Sequence, residues 1–500
     1  MIVHEHSVAM DGGTARELLA HLIRSDGQED LCFALYRSAT GRRRKTAVVY
    51  KMIPPQAGER RIHGNASFEP GYFERAVGEA VRDKAGLVFL HSHPVPGWQP
   101  MSQDDVRAEE DHAAAALGAT RMPLVGMTTG SDGTWSARFW ERVAAGRYRR
   151  FWCRNVRTVG VRLKIDFADA LCPPPAPAPE LERTIHAWGE VKQANLARIR
   201  VGVIGTGSVG AFVAEALART GFQELVLVDF DVVKMHNLDR LLHATRADAL
   251  SERLKVDVVA GALRQHATAA AISVEPVPHG LHHTSGYEAA LDCDVLFSCV
   301  DRPLPRHLLN LIAHGCFIPV VDGGIQVRRT PSAGLIGADW RAHTTGPDRR
   351  CLACIGQYDP GEVQLDRQGL LDDPHYIEAL PEDHPLRARE NVFAFSQACS
   401  SLMVLQFLQS VIVPVNCASP GRQLYHFVPG LLDTETQPST CDAACHVPKF
   451  HAAGDAMRDR LDLREPDVAI PSGKLPWWRS LLLTSAALGL KLIGRHSTWR

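Results

Sequence analysis

Two histidines and an aspartate have the types and spacing of metal ligands. His91 and His93 end the apolar run GLVFLHSHP, and Asp105 follows at the start of a polar helical segment. In an extended chain alternate side chains share a face, so both imidazoles point to the same side. Two histidines and one aspartate supply three zinc ligands and leave a fourth position for water, the pattern of a catalytic site. Asp104 is an alternative to Asp105.

Activating that water requires a base. Glu29 stands at the start of the earlier apolar run EDLCFAL, and Asp30 beside it is an alternative. Ser102 precedes the polar helix in the loop after the histidines. This group of residues predicts metal-assisted hydrolysis.

A second group of residues predicts a nucleotide site. The apolar run Val201–Ile204 meets a glycine cluster, and a helical pattern follows. Backbone N–H groups and the positive end of a helix bind phosphate at such a turn, and glycine allows the close approach. Asp229, after the next apolar run Glu224–Val228, stands where a ribose hydroxyl is bound. The glycines are Gly205, Gly207 and Gly210.

Charged residues after Asp229 exceed what a dehydrogenase needs for its ribose. Cations and carboxylates in such number suit a triphosphate with Mg²⁺. They are Asp231, Asn237, Arg240, Lys255 and Asp301.

Simple patterns predict the elements that position these residues. Helical periodicity is expected over 12–24, 70–84, 104–116, 180–200 and 211–220, and strands over 29–36, 46–53, 87–90, 201–204, 224–228 and 295–299. The proline-rich segment 172–179, CPPPAPAP, predicts a stiff linker between two domains. The fold class is therefore α/β with at least two domains.

Composition excludes several classes of function. The 55 basic and 56 acidic residues nearly balance, which gives no global charge for nucleic acid or membrane binding. The N-terminal residues lack a signal-peptide pattern, and the twelve cysteines suggest thiols and metal ligands in a reducing compartment. We expect a cytoplasmic protein. The apolar C-terminal segment 476–494 is either a packed helix or a docking element.

The metal-ligand set resembles the JAMM/MPN metalloprotease motif of deubiquitinases and their bacterial relatives. The resemblance covers about residues 1–150 and implies an α/β metalloprotease domain. It implies zinc held by His91, His93 and Asp105, with Glu29 as general base and Ser102 supporting the oxyanion.

The second group of residues resembles the ThiF/MoeB family, the fold of the ubiquitin-activating enzymes, over about 180–450. The resemblance implies that the glycine turn and Asp229 bind ATP, that Arg240 and Lys255 hold phosphates beside Asn237, and that Asp301 binds Mg²⁺. Arg183 is implied to reach the ATP of a partner subunit, in a homodimer. The implied reaction is adenylation of the C-terminal carboxylate of a ubiquitin-like protein.

The cysteines bear on two further features. Members of that family often place two cysteine pairs around a structural zinc, which implies a site at Cys351, Cys354, Cys441 and Cys445. Members that form a thioester often use a cysteine in the crossing segment. Residues 355–395 contain no Cys, Ser or Thr. Cys399 lies in an apolar helical pattern, which is typical of a buried core cysteine, and Cys417 lies in a loop-like stretch. Because the crossing segment itself offers no such nucleophile, self-thioesterification is not expected.

The sequence thus predicts four regions: a zinc isopeptidase domain (1–150), a connector with the linker (151–179), a Rossmann-like adenylyltransferase domain (180–450) and a tail (451–500). We expect both activities to act on one ubiquitin-like protein in a bacterial conjugation pathway, with a conjugating-enzyme-like partner. The alternatives are sulfur-carrier activation, a nicotinamide-dependent oxidoreductase, and a non-catalytic scaffold.

Overall fold

The computed structural model describes residues 4–63, 65–330, 332–380, 390–417, 419–436 and 439–465. Two large mixed sheets, each with flanking helices, form most of this part of the chain. The apolar segment 476–494 lies outside the described residues.

The first half of the chain builds a nine-stranded sheet. Its strands and a separate small pair are β1 (Glu5–Asp11), β2 (Leu31–Thr40), β3 (Arg44–Ile53), β4 (Arg60–His63), β5 (Asn65–Phe68), β6 (Gly86–Ser92), β7 (Leu124–Thr129), β8 (Trp135–Ala144), β9 (Arg147–Trp152), β10 (Asn155–Val159) and β11 (Leu163–Phe167). The strand order is β11-β10-β1-β3-β2-β6-β7-β8-β9, and β4 pairs with β5 alone. The strands expected near His91 are therefore present.

Three helices flank this sheet: α1 (Gly12–Leu22), α2 (Pro70–Arg82) and α3 (Gln103–Thr120). Asp11 caps α1 by accepting the Thr14 N–H, and Pro70 occupies the first turn of α2, where no intrahelical N–H bond is lost. All three helices match the periodicity of the sequence within a few residues.

The first sheet continues past residue 150. Strands β10 and β11 belong to it, and β10 pairs in parallel with β1, so the sheet ends at Phe167. Much of the segment expected as a connector is thus sheet. The division into domains stays a prediction.

The second half builds an eight-stranded sheet. Its strands are β12 (Arg200–Ile204), β13 (Glu224–Val228), β14 (Ser273–Val277), β15 (Val295–Ser298), β16 (Val320–Thr330), β17 (Gly334–Thr345), β18 (Gln423–His426) and β19 (Leu431–Thr434). The order is β14-β13-β12-β15-β16-β17-β18-β19. The first five strands are parallel, as in a Rossmann-like fold, and the last three add antiparallel pairs.

The helices of this half are α4 (Glu182–Trp188), α5 (Glu190–Ala197), α6 (Ser208–Arg219), α7 (Arg246–Leu250), α8 (Lys255–His266), α9 (Thr284–Leu291), α10 (Pro303–Gly315), α11 (Pro360–Arg367), α12 (Pro374–Ala379) and α13 (Phe393–Ile412). Short 3₁₀ turns cover Pro179–Leu181, Met235–Asn237, Leu370–Asp372, Pro414–Asn416, Val447–Phe450 and Gly454–Arg460. The single helix expected over 180–200 is broken at Gly189, whose φ of 91° no right-handed helix contains.

Helix α13 is long and apolar enough, by length and composition, to cross a membrane. In this fold it packs against α6, β16 and β17, and 56% of its most apolar window is buried. Cys399, Met403 and Phe407 are among its buried residues, so α13 serves here as a core helix.

The two sheets meet at a buried polar cluster. Asp294, just before β15, accepts hydrogen bonds from Arg44 Nη1 at 2.6 Å and Arg157 Nη1 at 3.0 Å, both from the first sheet. Ala9, Val48 and other apolar residues of the first sheet also join the main core of the second half. A continuous core and a buried ion cluster therefore join the two halves.

Candidate active sites

His91 and His93 lie where β6 leaves the first sheet. Their Nε2 atoms are 3.1 Å apart. Asp105 places Oδ1 3.4 Å from His91 Nε2 and Oδ2 3.4 Å from His93 Nε2. A tetrahedral zinc ion with bonds of about 2.0–2.1 Å holds its ligand atoms roughly 3.3–3.4 Å apart. The three side chains therefore fit a zinc ion without rearrangement.

The helix start explains how Asp105 reaches the histidines. Ser102 Oγ accepts the Asp105 N–H at 3.1 Å, and Asp105 Oδ2 accepts the Ser102 N–H at 2.7 Å, which together form a capping box. This reciprocal pair fixes the carboxylate on the face toward His91 and His93. Asp104 is exposed in the same turn and is not part of the cluster.

Hydrogen bonds within this cluster shift the pKa values of Asp105 and His93. Burial alone raises the pKa of Asp105, but hydrogen bonds from His91 and His93 outweigh it and hold that pKa well below its usual range. The hydrogen bond to Asp105 raises the pKa of His93, and the nearby Glu29 carboxylate adds to the effect. Glu29 thus lies close enough to act on the metal-ligand cluster electrostatically.

Asp30 is buried and its carboxylate is used in structural hydrogen bonds. Its Oδ1 accepts the Leu31 N–H at 2.7 Å and a bond from Arg60, and the side chain is buried. Ser92 Oγ accepts the Asp30 N–H at 3.0 Å, which ties the Glu29 segment to the strand of the histidines. Of the two candidate bases, this arrangement favours Glu29.

Sequence reasoning missed Gln99. Its Oε1 lies 3.3 Å from His93 Nδ1, and its Nε2 donates to the carbonyls of Val95 and Gly97 at 2.8 Å each. Because that amide must donate to the carbonyls, its oxygen accepts from His93 Nδ1–H and leaves Nε2 free to bind metal. A lone glutamine in a Pro/Gly loop gives no sequence signal for this role.

The glycine turn has the shape that the sequence predicts. Gly205 has φ of 88°, and a Cβ on Gly210 would lie 1.8 Å from the Gly205 oxygen, so both positions require glycine. A Cβ on Gly207 would meet nothing within 4 Å, which leaves open space at the start of α6. The turn lies between β12 and β15, where the strand order reverses. These are the features of a phosphate site.

Asp229 is buried at the end of β13 and organises the neighbouring loops. Its Oδ2 accepts the Thr206 N–H at 2.7 Å, and its Oδ1 accepts the Asp231 N–H at 2.9 Å. Burial raises its pKa. Thr206, which sequence reasoning passed over, thus links the glycine turn to Asp229.

The charged residues after β13 come together in part. Lys255 Nζ donates to Asp231 Oδ2 at 2.6 Å. Asn237 Oδ1 accepts the Lys234 N–H at 2.9 Å, and Arg240 Nη1 donates to the His236 carbonyl at 2.7 Å and to Asp239 at 2.8 Å.

Two other expected residues are exposed. Asp301 follows β15 at the same edge of the sheet, beside Arg302. Arg183 lies on α4, with its side chain exposed. The contact expected between Arg183 and a partner subunit stays a prediction.

The four paired cysteines converge. Ligand atoms of Cys351, Cys354, Cys441 and Cys445 all lie within 4.8 Å of one another, and Sγ of Cys351 is 3.6 Å from Sγ of Cys445. Zinc–sulfur bonds of about 2.3 Å set sulfurs roughly 3.8 Å apart in a tetrahedral site. The wider spacing of the second pair therefore does not prevent a four-cysteine cluster.

The two cysteines considered for thioester formation differ in exposure to solvent. Cys399 is buried in α13, and burial raises its pKa to about 12. Cys417 is exposed after α13.

The second sheet and its glycine turn define a Rossmann-like nucleotide-binding class of protein. Residues 181–420 match the sequence profile of the ThiF family. This match supports a ThiF-type adenylyltransferase domain in this part of the chain.

Curated relatives agree with that match. The chain is 31% identical over 167 residues to the SAMP-activating enzyme E1 of Haloferax volcanii, covering 33% of this chain and 57% of the relative. It is 29% identical over 215 residues to the adenylyltransferase and sulfurtransferase UBA4 of Kluyveromyces lactis, covering 41% and 46%. The chain thus spans about half the length of these relatives.

Among solved structures, the Escherichia coli protein MccB with ATP is similar at 15% identity and a TM-score of 0.41, covering 54% of this chain and 74% of that one.

Proposed function

We propose that the second half of the chain adenylates the C-terminal glycine of a ubiquitin-like protein. The observation that carries the proposal is the glycine turn with open space over Gly207, within the part of the chain that matches the ThiF family. In this reaction a carboxylate oxygen attacks the α-phosphorus of ATP, the bond to the bridging oxygen breaks, and pyrophosphate leaves. The names of the SAMP-activating and UBA4 relatives support this class of substrate.

Each side chain then has a defined task. Backbone N–H groups at the start of α6 bind phosphate oxygens, and Arg240 and Lys255 neutralise the charge that develops on the leaving pyrophosphate. Asp229 holds the glycine turn through Thr206 and offers a ribose contact. Asp301 would supply a carboxylate oxygen to the Mg²⁺ that accompanies ATP. Asp231, two residues after Asp229, is a second carboxylate near this site.

ATP–pyrophosphate exchange tests this proposal. Exchange should depend on a ubiquitin-like protein that ends in glycine. Arg240→Gln and Asp301→Asn should each lower the exchange rate about 10²-fold, because the first removes a cation from the phosphates and the second removes a ligand for Mg²⁺. Arg246→Gln, an exposed arginine on α7, is the matched control. Unchanged exchange in both site variants would overturn the assignment.

We propose further that the first half is a JAMM-like zinc peptidase. The convergence of His91, His93 and Asp105 at zinc-ligand spacing supports it. A zinc ion there supplies Lewis-acid chemistry to the scissile carbonyl. Glu29 takes a proton from the attacking water and returns it to the leaving amine, and the Ser102 hydroxyl donates to the developing oxyanion.

Glu29→Gln tests the peptidase. Cleavage of a ubiquitin-like fusion should stop while zinc content is unchanged, because the variant removes a base and not a ligand. Asp30→Asn is the comparison variant. It should lower the free energy of unfolding, because Asp30 is buried and hydrogen-bonded. If Asp30→Asn alone stops cleavage with zinc and folding intact, the base is misassigned.

Both activities would then act on one ubiquitin-like protein, with the peptidase exposing or releasing its C-terminal glycine. We propose a cytoplasmic homodimer in which Arg183 reaches the ATP of a partner subunit, and a conjugating-enzyme-like partner that accepts the activated tail. The bacterial conjugation pathway is part of this proposal.

Sulfur-carrier activation is the second candidate, and the sulfurtransferase named in the UBA4 relative favours it. The two differ in the acceptor of the adenylate. The protein is incubated with ATP and a ubiquitin-like protein, then with either a conjugating enzyme or a persulfide donor and excess thiol, which reduces the acyl persulfide formed first. Mass spectrometry then separates a thioester product from a thiocarboxylate. A nicotinamide-dependent oxidoreductase would instead change nicotinamide absorbance.

A further inference from the structure

A third cluster of metal-binding side chains lies on the second half of the chain. Glu215 is on α6, His266 is the last residue of α8, and His243 lies in the segment between the Met235–Asn237 turn and α7. The three are more than twenty residues apart in sequence, so no local motif marks them. All three side chains are half-buried.

The ligand atoms already have the spacing of a metal site. Glu215 Oε2 lies 3.2 Å from His243 Nε2 and 3.2 Å from His266 Nδ1, and all three atoms lie within 4.8 Å of one another. Tetrahedral zinc sets nitrogen and oxygen ligands about 3.3 Å apart. The spacing is close to that of the His91 cluster.

One of these atoms lacks a good partner. His243 Nε2 is buried and makes no hydrogen bond of acceptable geometry, although Glu215 Oε2 is near. A buried nitrogen left in this way costs free energy unless something satisfies it. The residue also has φ of 72°, in the left-handed region where residues other than glycine are uncommon.

The hydrogen bonds of Glu215 leave one carboxylate oxygen facing both histidines. Arg219 Nε donates to Glu215 Oε1 at 2.9 Å, while Oε2 is the oxygen that lies near His243 and His266.

We propose that Glu215, His243 and His266 bind a divalent transition-metal ion, with zinc the ion that two imidazoles and one carboxylate suit best. Solvent completes the coordination, since His266 is partly exposed. The bound ion ties three elements together: α6, α8 and the segment that follows Arg240.

That position gives the ion a consequence that rests on the proposed function. Helix α6 starts at the glycine turn, α8 starts at Lys255, and His243 follows Arg240 by three residues. The ion would therefore fix the spacing of three parts of the proposed phosphate site. Metal binding itself needs neither ATP nor a ubiquitin-like protein, so its test is separate from that of adenylation.

The test is zinc content of the full chain after equilibrium dialysis, together with zinc-edge anomalous diffraction from crystals grown with zinc. We expect an anomalous peak between Glu215, His243 and His266. Glu215→Gln and His243→Ala should each lose one bound zinc ion per chain, with circular dichroism unchanged. His186→Ala, an exposed histidine on α4, should retain it.

The variant Arg219→Gln distinguishes a metal site from a network of ion pairs without metal. Removing that cation should tighten zinc binding at the cluster by several-fold, because it lowers positive charge beside the ligands. The proposal is overturned if the anomalous map is empty between the three side chains, if zinc content is equal in all variants, or if Arg219→Gln loses zinc as Glu215→Gln does.

Discussion

Arg44 Nη1 donates to Asp294 Oδ1 across the two halves of the chain, at 2.6 Å and with both side chains fully buried. Arg157 shares the same oxygen at 3.0 Å, and Asp294 Oδ2 accepts the Arg200 N–H at 2.9 Å. One carboxylate thus pairs with two buried guanidinium groups. Buried charges without a partner are costly, so this aspartate is central to the junction between the sheets.

Asp294→Asn should lower the free energy of unfolding by about 3–5 kcal/mol, because it removes the carboxylate that Arg44 and Arg157 share and leaves both guanidinium groups buried. Chemical denaturation measures it. Glu69→Gln, which removes an exposed pair with Arg61, is the matched control and should cost under about 1 kcal/mol. Equal losses in the two variants would show that the buried cluster contributes little.

The low pKa of Asp294 should make the free energy of unfolding depend on pH. Burial raises the pKa of Asp294, but Arg44 and Arg157 outweigh it and hold that pKa well below the usual range. A depressed pKa gives stability that is present above the unfolded-state value and is lost as pH falls through the folded-state value. Unfolding free energy should therefore fall in acid for the natural chain and fall less for Asp294→Asn.

Gln99→Ala should weaken zinc binding at the His91 cluster about 10–100-fold, because Gln99 fixes the ring orientation and tautomer of His93. Competition with a chelator measures the affinity. Gln103→Ala, an exposed glutamine at the start of α3, should bind zinc normally. A normal affinity in Gln99→Ala would mean that the ring is held by other contacts.

The four-cysteine cluster should hold zinc more tightly than the open His91 site, because four thiolates enclose the ion. Brief chelation should therefore stop the peptidase and leave zinc at the cysteines, while Cys351→Ser and Cys441→Ser should lose it. Cys417→Ser, at an exposed thiol, is the control. Elemental analysis that finds the same zinc content in all four proteins would remove this site.

No thioester should form on this chain. Cys399 is buried with its pKa raised to about 12, and the crossing segment 355–395 contains no Cys, Ser or Thr, so we expect direct transfer to a partner cysteine. A non-reducing gel after incubation with ATP, Mg²⁺ and a ubiquitin-like protein is the measurement. A thiol-sensitive adduct that disappears in Cys417→Ala or Cys399→Ala would contradict direct transfer.

Local patterns in the sequence predicted what depends on neighbours along the chain. The strand into His91, the glycine turn at Gly205 and the helix that contains Asp105 in its first turn all have short-range signals, and the structure contains each of them. Gln99, Asp294 and the Glu215 cluster were missed. The roles of Asp294 and the Glu215 cluster arise from contacts between residues far apart in sequence, which no periodicity or spacing encodes. Gln99 contacts residues close to it in sequence, but its role depends on how an irregular loop folds back on His93.

Strand β1 lies between two strands from distant parts of the chain: β3 on one side and β10 on the other, both parallel to it. Ser7 pairs in register with Thr46 and with Asn155. During synthesis, β1 must therefore wait for residues more than a hundred positions later before its second edge is covered. A protein truncated at residue 150 would expose that edge to other chains, whereas one that ends after Phe167 would carry the sheet complete.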